Sequence, residues 1–146
     1  MRLWRISKHR GLDGVGGTLA SGRWHAMPRC VVYASEHPAL SMVEVMAQMQ
    51  LPLRQVPRTL RLIGIDVPQG IKAADTELAE GWQANEPMTQ SIGNAWLDQV
   101  DSLLLKVPSS VLPHAFNYLL NPAHADAVRV TEQDFGPFWF DARFAR

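Results

Sequence analysis

The chain has 146 residues, a single-domain length at which folding buries roughly two thirds of the unfolded surface. Its 47% apolar content excludes a disordered chain. Fourteen acidic and fourteen basic residues cancel without a basic run or stripe, so the electrostatic footprint of a nucleic-acid binder is missing and a small-molecule or protein partner is expected.

The opening MRLWRISKHR lacks the apolar stretch of a signal peptide, and no apolar run reaches membrane-spanning length. The one cysteine, Cys30, has no internal partner for a disulfide, which fits a reducing, cytoplasmic compartment. Residues 3–6 read as a first strand. A loop over 8–22 follows, holding Gly11, Gly14, Gly16 and Gly17. It matches neither GxxxxGK[ST] nor GxGxxG, so its glycines read as turn chemistry. Residues 22–24 and 30–34 are strand candidates on either side of Pro28, with Val31, Val32 and Tyr33 strongly strand-forming.

Ser35 stands as an N-cap for a helix through about Gln50, with Pro38 early enough to be tolerated. That helix is apolar nearly all round and is expected to be mostly buried. Its polar residues Ser41, Glu44 and Gln48 form one narrow stripe, which is either the solvated face or the face turned to a cleft. Residues 59–67 read as a strand and 75–79 as a short helix stopped near Gly81. Asn85 caps a further helix through about Gln99, and 102–107 is a continuous apolar strand, expected to be central and covered on both faces. PSSVLP is a turn, FNYLLNP a short strand or extended segment and 127–131 another strand. The tail GPFWFDARF is expected to dock its aromatic rings on the sheet. Strands outnumber helices without regular alternation. This predicts an α+β fold, a single compact domain over 1–146 with a mixed sheet and flanking helices.

Five histidines lie scattered without HxH or HExxH spacing, so no metal site is expected. Ser-His-Asp chemistry lacks its GxSxG elbow. The candidates are Arg23, whose fork suits phosphate, Tyr33, whose ring offers a stacking face, Glu44, and Ser109 with Ser110 at a strand end. Each has an ordinary structural alternative: a surface arginine packed on Trp24, a core tyrosine, a solvated acid, a turn serine.

Taken together, LWRIS, GVGGTLASGRW, VVYASEHPALSMVEVMAQM and LLLKVPSSVLPHAFNYLLNPAHADA stand in an order and spacing that resemble the RES domain. Two positions depart from that pattern, His25 where Asn is expected and Ala125 where Pro is expected. The resemblance implies a fold like that of ADP-ribosyltransferases. It also implies a toxin of a type II toxin–antitoxin pair that cleaves NAD at the nicotinamide–ribose bond by hydrolysis or phosphorolysis. On the same match Glu44, Arg23 and Ser109 are the catalytic residues, and Arg5, Arg23, Tyr33 and Ser109 bind NAD. NAD is then a substrate, with inorganic phosphate as co-substrate of the phosphorolytic version and no further cofactor. The implied partner is an Xre-like helical antitoxin covering the pocket, and a homodimer is the other way to cover the same surface. Two alternatives stay open: mono-ADP-ribosylation of a host protein, and a non-catalytic nucleotide-binding module.

Overall fold

A computed structural model describes residues 1–145. The strands are β1 (Arg2–Ser7), β2 (Val32–Ser35), β3 (Arg61–Asp66), β4 (Ala73–Ala74), β5 (Leu104–Pro108), β6 (Phe116–Leu120) and β7 (Thr131–Pro137). They form one seven-stranded sheet in the order β4-β5-β6-β2-β1-β3-β7. Only the β4–β5 pair is parallel among the described strands. The helices are α1 (Gly16–Leu19), α2 (Pro38–Gln48) and α3 (Glu86–Gln99), with α3 as the crossover that parallel pairing requires. This is the α+β domain with a mixed sheet that the element pattern predicts.

Side-chain alternation sorts the core onto the two sheet faces. Leu3, Val32, Ala34, Ile63, Ile65, Leu104 and Leu120 gather in one buried cluster. Their neighbours in sequence, Leu105, Val107 and Leu119, join Trp24, Val31, Trp96 and Leu97 in the other. The predicted strand at 102–107 is therefore interior and covered on both faces, although β5 begins only at Leu104.

The Asn85 side-chain oxygen Oδ1 accepts from the Met88 amide at 3.2 Å and starts α3 as the sequence predicts. The helix presents Thr89, Gln90, Gly93 and Asn94 to the segment 22–26. A Cβ on Gly93 would lie 1.6 Å from the Trp24 carbonyl oxygen, so only glycine permits this approach.

Several local expectations are corrected. Residues 22–24 form no strand; Gly22 and His25 make a single antiparallel bridge, because α3 takes the backbone groups a neighbouring strand would need. Ser35 is not a helix cap but the last residue of β2. The cap is His37, whose Nδ1 accepts from the Ala39 amide at 3.1 Å, and this places Pro38 at the first helical position. Helix α2 is not mostly buried, since only Leu40 and Ser41 are. It lies along the sheet against β1 and β2 and leaves one flank outside. Residues 75–79 are not helical, and Thr76 donates to the Lys106 carbonyl instead. The strand expected at 127–131 is replaced by a 3-10 turn, Ala125–Arg129, with β7 starting at Thr131. The aromatic tail stays on the sheet only at its start, where Gly136 and Pro137 end β7 and the Phe138 amide donates to the Leu60 carbonyl at 2.8 Å; beyond that the 3-10 turn Ala142–Ala145 meets the 3-10 turn Leu53–Gln55, and Trp139 and Phe144 remain exposed.

Candidate functional site

Helix α2 carries its polar stripe inward. The Ser41 hydroxyl donates to the Trp4 carbonyl at 3.0 Å, pinning the helix to β1. One turn on, Glu44 reaches a cleft of about 800 Å³, which Gln48 also lines. The stripe thus turns toward the sheet and the cleft, running from buried Ser41 through half-buried Glu44 to exposed Gln48 at the rim.

Two donors converge on one oxygen of Glu44. The Ser109 hydroxyl lies 2.6 Å from Oε1, and Nδ2 of Asn117 is also 2.6 Å away. A carboxylate oxygen only accepts, so both groups must donate. Ser109 has no freedom to do otherwise, because its oxygen already accepts the amides of Val111 at 3.1 Å and Leu112 at 3.0 Å. No described hydrogen bond falls on Oε2. The turn after β5 therefore fixes Glu44 through one oxygen and leaves the other for whatever enters the cleft. Such charge-assisted bonds contribute about 1.5–3 kcal/mol each, enough to hold one rotamer.

The SGRW segment forms the opposing wall and is gripped by α3. Thr89, fully buried, donates to the Arg23 carbonyl at 2.6 Å, and Gln90 donates to the Gly22 carbonyl at 2.9 Å. The Ala26 amide donates to Asn94 at 2.9 Å. With its backbone held, Arg23 lays its guanidinium over Trp82, 5.5 Å from the ring centroid, and donates to the Gln83 carbonyl. Trp24 itself is core, so the arginine packs on Trp82 and not on its sequence neighbour. The Arg23 Nε is buried without a partner.

Arg5 shows the same feature. Its Nη2 donates to the His9 carbonyl at 2.7 Å while its Nε is buried and unpaired. Burial lowers its pKa, and the charges of Glu132 and Asp13 oppose that shift; the group nevertheless stays cationic. Two guanidinium groups lining one cleft are chemically matched to an anion with several acceptor oxygens.

Tyr33 is tied down at its hydroxyl, which accepts the Trp24 amide at 3.2 Å and stands 2.7 Å from Nδ1 of His25. The other ring nitrogen of His25 is 3.0 Å from the Gly17 carbonyl. A carbonyl cannot donate, so Nε2 carries the proton and Nδ1 accepts from Tyr33. Burial raises the Tyr33 pKa, with the Glu86 charge adding to it and the Trp24 amide opposing. The phenol is thus a fixed neutral donor, and its ring lines the cleft. Gly22 is required beneath it, since a Cβ there would sit 2.5 Å from the hydroxyl.

Arg5, Arg23, Tyr33 and Glu44 accordingly line one cleft. Ser109 does not line it; its hydroxyl is spent on Glu44, and its neighbour Ser110 reaches the lining. Sequence reasoning passed over Asn117 and the cleft-lining Glu86, and it read Ser35 only as a helix cap. Asn117 carries a legible signal, since asparagine is disfavoured inside a strand. His25, noted as a departure, is 2% exposed and braces Tyr33. Asn121 ties the turn after β6 to α3 by donating to the Leu97 carbonyl at 3.0 Å, while its side-chain oxygen accepts the Ala123 amide and His124 Nδ1 accepts the Asp126 amide. Among the described residues no cluster of three or more His, Cys, Asp or Glu is placed to hold a metal, and no helix is long and apolar enough to cross a membrane.

The RES domain model matches residues 2–141. A Pseudomonas putida protein named Toxin Res is 41% identical over 140 residues, covering 94% of this chain and 97% of that protein. A Sphingobium protein named Prs ADP-ribosylating toxin is 32% identical, covering 98% and 96%. The crystal structure of the M. tuberculosis MbcT–MbcA toxin–antitoxin complex contains a chain of the same fold, with a TM-score of 0.69 and 18% identity, over 98% of this chain and 86% of that one. The chain belongs to the RES domain family.

Proposed function

We propose that this RES-domain protein is the toxin of a toxin–antitoxin pair that binds NAD in the cleft and breaks its nicotinamide–ribose bond. The observation that carries the chemistry is Glu44: a carboxylate held through one oxygen by two donors, with the second oxygen free at the cleft. The toxin part of the reading is supported by the relatives' names.

In that reaction the C–N bond breaks with its electron pair going to the nicotinamide nitrogen, so a cationic ring leaves as a neutral molecule. Positive charge develops on the ribose, and a fixed carboxylate beside it stabilises that charge without reorganisation. Arg5 and Arg23 supply guanidinium donors for the pyrophosphate, and the Tyr33 ring supplies a face for nicotinamide. The sugar cation is then captured by an acceptor: water, which releases a proton and gives ADP-ribose, inorganic phosphate, or a protein side chain. The protein acceptor has specific support in the name of the Sphingobium relative.

An Xre-like helical antitoxin is the proposed partner, seated over the cleft. Val15 and Val111 line the cleft and are exposed, as are their neighbours Leu19 and Leu112; an apolar rim of this kind suits a protein cover. Expression of the protein alone is expected to stop bacterial growth and to lower cellular NAD together, with both relieved by the co-expressed antitoxin. Growth arrest at unchanged NAD, with a modified host protein, would replace NAD depletion by protein modification.

A further inference from the structure

We infer that Ser35 and Asn117 form a directional relay that sets the orientation of Glu44, which makes Asn117 a positioning residue; its role in turnover rests on the NAD-cleaving reading of the cleft. Strand register brings the two residues together: Ser35 stands opposite Asn117 in the β2–β6 pair, 82 residues apart in sequence. Both belong to the sheet face that α2 covers, and both line a small cavity of about 110 Å³ that also holds Ser41 and Glu44.

The polarity of the relay is dictated from the Glu44 end. The carboxylate can only accept, so the Asn117 amide must turn its nitrogen toward Oε1. Its oxygen then faces Ser35, whose hydroxyl donates at 2.7 Å. Ser35 is 4% exposed, so the Asn117 oxygen is its hydroxyl's partner inside the fold. Without the hydroxyl the amide torsion is broad and roughly two-fold. The flipped amide sets a carbonyl oxygen against Oε1, and Glu44 loses one of its two anchors.

The test compares Ser35→Ala, Asn117→Ala, Asn117→Asp and the double alanine variant in NAD turnover by folded protein. Asn117→Ala is expected to lower kcat about tenfold to a hundredfold, with KM changed less than about threefold. Ser35→Ala should lose about threefold to tenfold, and the double variant should be no worse than Asn117→Ala, because the two act through one group. Asn117→Asp, with the same shape but a like charge facing Glu44, should be worse than alanine. Losses that multiply in the double variant, or a change in KM alone, would overturn the relay. A second readout needs no activity. In the free wild-type protein the Asn117 side-chain amide protons should exchange slowly with solvent by ¹⁵N NMR, and Ser35→Ala should speed that exchange and shift both signals toward those of an exposed asparagine. Signals unchanged in Ser35→Ala would overturn the relay even where NAD proves not to be the substrate, and a wild-type protein that leaves NAD intact would contradict the functional reading alone.

Discussion

Glu44→Gln is expected to lower NAD cleavage at least about a hundredfold while leaving the fold intact. The amide keeps the size of the side chain, and its oxygen can still accept from Ser109 and Asn117, which now both point at Oε1. What is lost is the negative charge beside a ribose that becomes positive in the transition state. Removing one preorganised electrostatic contact of this kind costs about 3 kcal/mol, which is about two orders of magnitude in rate. The measurement is initial-rate NAD loss on proteins with matching circular dichroism and melting temperature. A folded Gln variant that turns over like the wild type would remove Glu44 from the chemistry.

The second large effect is expected at Arg23. Arg23→Ala should raise KM for NAD by about tenfold to a hundredfold, and Arg23→Lys should recover little of it. The guanidinium is positioned by three things: its place over Trp82, its bond to the Gln83 carbonyl, and a backbone clamped by Thr89. That leaves Nε buried and unused. An ammonium can neither stack as a plane nor present a fork, so a point charge reproduces only part of the contact. Full rescue by lysine in binding and kinetic assays would show that Arg23 acts only as a generic charge.

How far the sequence was readable depended on the range of the interaction. Helix α3 was legible because its start is written locally, in Asn85 followed by Glu86 and Pro87. Strand β3 and the interior position of β5 were legible because runs such as LIGI and LLLKV have no other way to bury themselves. The α2 start was misplaced by two residues because Ser35 has the chemistry of a cap, yet its hydroxyl is claimed by Asn117 across the sheet. Residues 22–24 have strand composition, but Thr89 and Gln90 from a distant helix take their carbonyl groups. No local pattern carries either contact.

The site divides the same way. Arg23, Tyr33 and Glu44 were singled out by residue type on three successive segments, and the fold brings them to one cleft. That Ser109 serves Glu44 and does not face the cleft depends on the turn at 109–112, whose two amides saturate its oxygen. Asn117 was missed because its importance comes from β2–β6 register, which local periodicity does not specify. His25 was read as a departure, and its buried contacts to Tyr33 and Gly17 give it a structural task there.

The most direct measurement is of nicotinamide released when the purified protein meets NAD, followed with the fate of the sugar product in buffer, with inorganic phosphate, and with cell lysate. The account predicts nicotinamide equal to the NAD consumed, dependent on Glu44, with the acceptor deciding whether ADP-ribose appears free, phosphorylated or attached to protein. NAD that binds the cleft and is recovered intact under all three conditions, with no nicotinamide formed, would contradict it and leave a nucleotide-binding module in its place.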